Sequence, residues 1–231
     1  MADRKGVLPR GVRATSLSLM FGAIFLAALV GQAFSGWAAF NDEQAASQLA
    51  KVSLGEYVTS AAFAVDVAEN WQSEYLQFLL YILATVWLVQ RGSPESKELE
   101  KSGQEPDEDQ RVGRFATPGS PRWAATGGWR TAVYSWSLVL VMGAIFVGSW
   151  FVQSVAGWAA FNETQLEQLQ GPMSYPAYLL NPDFWSRTMQ NWQSEFLAVG
   201  SMAVLSIYLR ARGSPESKPV GASHETTGVG G

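Results

Sequence analysis

The chain of 231 residues has no cysteine and a single histidine, His224. Without thiols there is no disulfide framework, no thiolate metal site and no cysteine nucleophile, and one histidine cannot build a histidine-based zinc site or a serine–histidine pair in a core. A basic surplus is missing as well: 16 Lys and Arg stand against 20 Asp and Glu, a formal net charge of −4. Nucleic-acid binders need positive charge to neutralise phosphates, so nucleic acid is not an expected partner. Nor does any spacing resemble a calcium loop or a phosphate-binding glycine turn. The expectation is a protein without catalytic residues, cofactor or metal.

Charged residues make up 16% of the chain, aromatic residues 13%, and ten residues are tryptophan. That balance directs attention to membrane segments, and four apolar stretches are present. Leu17 to Phe34 and Trp136 to Ala156 carry no charge and are long enough, at 1.5 Å per residue, to cross a hydrocarbon core of about 30 Å. Tyr75–Val89 and Phe196–Leu209 are shorter and must take residues from what precedes them, so their helical parts are expected to begin near Trp71 and Trp192. The predicted helices are residues 17–36, 71–90, 136–157 and 192–210. Arg4, Lys5, Arg10 and Arg13 before the first stretch resemble a signal-peptide start. An internal repeat argues against cleavage.

Residues 16–97 align with residues 137–218 without a gap, and 32 of the 82 positions are identical. The first apolar stretch therefore has a counterpart in mid-chain, where no signal peptide can sit. Fourteen of the 16 basic residues fall before the first helix, between the repeats or after the last helix; only Lys51 and Arg187 fall in the two intervening loops. By the positive-inside rule both termini and the linker are cytoplasmic and the loops face outward. The predicted fold is all-α: an integral membrane protein of four transmembrane helices, built as two parallel two-helix repeats about a pseudo-twofold axis along the membrane normal. Its parts are a cytoplasmic segment 1–15, membrane repeats 16–97 and 131–218, a disordered linker 98–130 and a disordered tail 219–231. Within the outer loops, Leu54–Val67 and Tyr178–Met189 are expected to form short interfacial helices.

Three strings occur in both copies: GWAAFN at Gly36 and Gly157, NWQSE at Asn70 and Asn191, and RGSPESK at Arg91 and Arg212. With a Gln following the first string (Gln44, Gln165) and an aromatic residue and Leu following the second, this arrangement resembles a family of small bacterial integral-membrane proteins catalogued as a domain of unknown function. The likeness covers residues 16 to 220. It implies a location in the bacterial inner membrane and supplies no activity.

Of these strings, NWQSE carries the most chemistry. At helical spacing Asn70, Ser73 and Glu74 share a face with Gln77, while Trp71, Tyr75 and Phe78 lie on another, and Asn191, Ser194 and Glu195 repeat the polar face. Gln32 and Gln153, near the outer ends of the longer helices, fall at a similar depth. Asn70, Glu74, Asn191, Glu195, Gln32 and Gln153 thus form a candidate polar membrane site. Intramembrane ionisable groups are costly and tend to serve a function. The alternative is that the glutamates begin helices in the wet headgroup zone, favoured by the positive end of the helix dipole, with tryptophans in the aromatic belt. RGSPESK reads chiefly as a helix stop, with Gly92 and Gly213 in left-handed conformations. GWAAFN is expected to end each outward-going helix, with Asn41 and Asn162 as caps.

Two functional readings follow. One is a non-enzymatic inner-membrane protein engaged in interaction or envelope maintenance. The other is a small cation or proton channel or transporter using Glu74 and Glu195. The expected partners are the lipid bilayer and a second copy or another membrane protein.

Overall fold

A computed structural model of the chain describes residues 10–229. The basic residues Arg4 and Lys5, and the last two residues of the tail, lie outside that range. The described chain is all-α. A short α1 (Arg10–Ala14) leads into α2 (Ser16–Ala46), followed by α3 (Leu54–Val58) and α4 (Ala61–Trp87). After the linker come α5 (Arg122–Thr126), α6 (Gly128–Ser135), α7 (Ser137–Glu167), α8 (Tyr175–Tyr178) and α9 (Pro182–Tyr208).

All four long helices differ in extent from the predicted ones. The first long helices of the two repeats, α2 and α7, run 31 residues each, about 46 Å, well past the GWAAFN strings. Those strings stay helical because their polar side chains reach across to the loop instead of capping their own helix. Trp37 Nε1 donates to the Val52 carbonyl at 2.8 Å, and Asn41 both donates to that carbonyl (3.0 Å) and accepts from the Val52 amide (2.7 Å). The second copy repeats this with Trp158, Asn162 and Met173 at 2.7, 3.0 and 2.7 Å. Gly36 and Gly157 complete the device: a Cβ there would lie 2.3 Å from the Tyr57 hydroxyl and 2.5 Å from the Tyr178 hydroxyl. The helices end just beyond, where Gln48 and Leu169 turn left-handed at φ 61° and 58°.

The returning helices α4 and α9 begin at Ala61 and Pro182, a good two turns before Trp71 and Trp192. Side-chain caps set these starts: Ser60 Oγ accepts from the Phe63 amide, and Asn181 Oδ1 from the Asp183 amide, with Pro182 in the first turn. The same caps divide the expected interfacial segments 54–67 and 178–189. Segment 54–67 yields the short α3 and the start of α4, whereas segment 178–189 begins on the last residue of α8 and is otherwise a turn and the start of α9. Among the described residues α2 and α7 are long and apolar enough to cross a membrane; α4 and α9 have the length, but only their C-terminal halves are apolar. Two helices rather than four therefore meet that description on length and composition.

The linker, expected to be without structure, holds two single-turn 3-10 helices (Leu99–Lys101 and Gly113–Phe115) besides α5 and α6. It is drawn back toward the helices where the Gly103 amide donates to the Val86 carbonyl (2.7 Å) and Lys97 pairs with Glu105 (3.0 Å).

Helix α4 packs antiparallel along α7, the long helix of the other repeat, with α9 on its second side. The register is set by small residues on α7. A Cβ at Gly157 would meet Val65, and one at Gly143 would meet Leu79. Along α4 the stripe Val65, Ala68, Gln72 and Leu76 is buried at 0–7% exposure. Its counterparts on α9, Ser186, Met189, Gln193 and Leu197, are exposed. Nothing lies within 4 Å of a Cβ built at Gly22, the equivalent of Gly143.

Candidate functional site

At the outer ends of α4 and α9 the two copies meet through charge. Asp66 and Arg187 hold the same position in their respective repeats, and they pair at 3.8 Å; Arg187 also reaches Glu69 (3.3 Å) and Asp183 (3.6 Å). One guanidinium thus serves three carboxylates. Burial raises the Asp66 and Glu69 carboxyls above their ordinary range while Arg187 pulls them back down. The repeats differ here, an acid in one and a base in the other, so that two counterpart positions attract where identical charges would repel. Above them lies a cavity of about 520 Å³ between the outer ends of α2 and α7, with Glu43, Glu163 and Glu167 on its walls and Arg187 among its lining.

One layer deeper stand the residues picked out by sequence. Asn70 Nδ2 donates to the Asp66 carbonyl (2.7 Å) and Asn191 Nδ2 to the Arg187 carbonyl (3.0 Å), so each asparagine is bonded along its own helix. Ser73 and Ser194 do likewise toward the carbonyls of Asn70 and Asn191. Glu74 is exposed and Glu195 half-buried. The α4–α9 contact brings these two glutamates within electrostatic reach of each other, with the Ser73 hydroxyl beside Glu195. Gln32 joins Asn70 and Glu74 in lining a groove of about 210 Å³ between α2 and α4. Gln153 lies apart, fully buried, with Nε2 donating to Thr188 Oγ1 at 3.3 Å. The six candidates therefore divide: Gln32, Asn70 and Glu74 line one groove, Glu195 lies within electrostatic reach of Glu74, Gln153 belongs to the α7–α9 contact, and Asn191 braces its own helix.

Sequence reasoning reached Ser73 and Gln153 of the buried polar layer but missed Gln72 and Thr188. Gln72 and Thr188 are fully buried and Ser73 is 1% exposed. Gln72 Oε1 accepts from the Trp192 indole at 2.8 Å, while its Nε2, like Gln153 Oε1 and Trp150 Nε1, has no partner among the described residues. Trp150 packs against Phe184, Trp185 and Trp192, with ring centroids 5.8 to 6.4 Å away. Gln72 falls between the polar and aromatic faces assigned to NWQSE. Only the position of α7 makes it an inward residue.

At the inner ends the RGSPESK strings form matching turns. Gly92 and Gly213 take φ of 87° and 84°, and Ser96 and Ser217 accept from the amides of Gln90 and Ala211 at 2.8 and 2.9 Å. These glycines stand five residues past the helix ends, in the turn that follows them. Lys218 Nζ is enclosed by the carbonyls of Gly92, Ser223, His224 and Thr226 at 2.6 to 3.2 Å. Burial, together with the nearby Arg210 charge, lowers its pKa. Glu95 accepts from the Tyr81 hydroxyl and also meets Glu216, its repeat counterpart, whose carboxyl is raised by a hydrogen bond with Glu95. Most of the string is thus spent on turns and on tying the two copies together.

Among the described residues no group of three His, Asp or Glu side chains is placed to hold a metal ion. No curated protein and no solved structure matches the chain. One family model does, over residues 8–229: Domain of unknown function (DUF6766). The span of that match, nearly the whole chain and both repeats, places the protein in the DUF6766 family.

Proposed function

We propose that the chain is a non-enzymatic protein of the bacterial inner membrane whose role is interaction or envelope maintenance, and that all four long helices cross the bilayer. In this reading the two repeats run parallel about a pseudo-twofold axis along the membrane normal, with both termini cytoplasmic. The apolar halves of α4 and α9 span, and their polar outer halves stand in the headgroup zone with the Arg187 cluster. The positive-inside distribution of Lys and Arg supports the orientation. The observation that carries the functional reading is how the repeated polar residues are used. Asn41, Asn162, Asn70, Asn191, Ser96 and Ser217 all hydrogen-bond to the chain's own backbone. Proteoliposomes test it: the reading expects no flux of protons, sodium or potassium above that of empty vesicles, and specific co-purifying membrane proteins. Flux of any of these ions would overturn it.

A second reading has one observation in its favour. Glu74 and Glu195 approach each other across α4 and α9, beside the groove that holds Gln32 and Asn70. A cation or proton pathway through that pair predicts flux that falls at least tenfold in Glu74→Gln/Glu195→Gln, with the folded protein retained.

A further inference from the structure

We propose that the second half of the linker, from Arg111 to Trp136, is an anchor that lies on the anionic lipid headgroups of the cytoplasmic leaflet. The proposal rests on the membrane reading above. Charge divides the linker in two. Residues 98–109 carry six acids and one lysine, whereas residues 111–136 carry Arg111, Arg114, Arg122 and Arg130 and no acid at all. All four arginines are exposed, and among the described residues none of them pairs with a carboxylate. Aromatic residues are interleaved with them: Phe115, Trp123, Trp129, Tyr134 and Trp136.

The fold turns this composition into a surface. Gly127 and Gly128, at φ 73° and 63°, join α5 to α6, and Thr131 Oγ1 donates back to the Trp123 carbonyl at 2.6 Å. The Trp123 and Trp129 rings stand 5.9 Å apart, and the two residues are 43% and 67% exposed. Along α6, Trp129, Ala132 and Val133 share one face at helical spacing, and that face is open. Arg130 flanks it, with its guanidinium 5.5 Å from the Trp129 ring centroid. Position in the chain identifies what covers this face. Only Trp136 separates α6 from α7, whose apolar run follows from Leu138, and Trp136 stacks at 6.5 Å on Trp87, the last residue of α4. Those two indoles mark the level at which both helices leave the hydrocarbon, so α6 follows in the headgroup zone. Repeat 1 breaks at the same place: Thr15 separates α1 from α2, and Val12 is exposed like its counterpart Val133. Arginines unopposed by any acid at that level, mixed with exposed indoles, are complementary to anionic phospholipid.

Because the chain has no cysteine, a spin label on Val133→Cys reports on this face, and one on Leu140→Cys, an exposed position in the apolar part of α7, serves as the reference. The full chain is reconstituted into vesicles of phosphatidylcholine alone or of an equal mixture with phosphatidylglycerol. Each label's accessibility to oxygen is then compared with its accessibility to a water-soluble nickel chelate present on both sides. The proposal expects the Val133 label to be open to oxygen and shielded from nickel in the anionic vesicles. That shielding is lost in pure phosphatidylcholine, and lost in the anionic vesicles when the chain also carries Arg114→Gln, Arg122→Gln and Arg130→Gln. Three results would overturn it: nickel access in both lipids, which leaves the face to water; shielding from both reagents, which means that protein covers it; or shielding that depends neither on lipid charge nor on the arginines. A Leu140 label open to nickel rejects the membrane reading and the anchor with it, whereas a lipid-immersed Leu140 label beside any of the three results rejects the anchor alone.

Discussion

The two repeats carry the same NWQSE string at the same place on their returning helices, yet α4 buries the stripe that runs through it and α9 leaves its own exposed. The difference lies in the neighbours. On α4, Val65 and Leu79 bracket the stripe and fit against Gly157 and Gly143 of α7. On α9 those positions are Ser186 and Gly200, which offer no bulk to fill the same grooves. Repeat 2 puts its large side chains elsewhere: Trp150, Trp185 and Trp192 fill the contact between α7 and α9. Their counterparts in repeat 1 are Leu29, Ala64 and Trp71, and these line an apolar cavity of about 590 Å³. Duplicated sequence thus supplies two frames, and a handful of divergent residues decides which helix each frame receives.

The sharpest way to break this comparison is to truncate the same leucine in each copy. Leu76→Ala should cost about 2–3 kcal/mol of stability, while Leu197→Ala should stay within roughly 0.5 kcal/mol when measured on monomers by thermal unfolding in detergent. Equal losses would mean that the stripes are equally buried.

The next effect should be the same in both copies. Asn41→Ala and Asn162→Ala each leave a loop amide, of Val52 or Met173, without its acceptor while the tryptophan still serves the carbonyl, and should each cost about 1–2 kcal/mol. A large difference between them would show that the loops, too, are unequal.

Arg187→Met leaves Asp66 and Glu69 without their cation. The group is partly solvated, so the expected loss is about 1 kcal/mol, checked by unfolding at low and high salt, with the difference from the parent shrinking at high salt.

The smallest effect concerns pH, where the copies meet at their inner ends. The Glu216 carboxyl is raised by its hydrogen bond and charge contact with Glu95, so the folded chain binds the proton more tightly than the unfolded one. That contribution is fully present below about pH 4.5 and is lost as pH rises through the raised value. Glu216→Gln should flatten this part of the stability profile, read by thermal unfolding between pH 4 and pH 7.

Much of the helical framework was legible in sequence. The apolar runs fall within the four long helices, and the self-alignment pairs them. Their ends were not legible, because hydropathy stops where polar residues begin while helices continue wherever backbone groups are satisfied. Ser60 and Asn181 cap α4 and α9 in polar surroundings, and Trp37 and Asn41 serve the loop without breaking α2. At the candidate site, the correspondence of Glu74 with Glu195 followed from the repeat. The burial of Gln72 did not, since its string is identical in both copies and only the packing of α7 on α4 distinguishes them.

The central claim is that within one chain α4 is paired with α7 while α9 and α2 stand apart. Double electron–electron resonance tests it on chains carrying two spin labels, reconstituted with an excess of unlabelled protein so that only distances within a chain are read. The account predicts a short, narrow distance for labels at Leu79 and Gly143 and a longer one for labels at Gly22 and Gly200. Equal short distances for both pairs would contradict it and establish a closed, symmetric bundle.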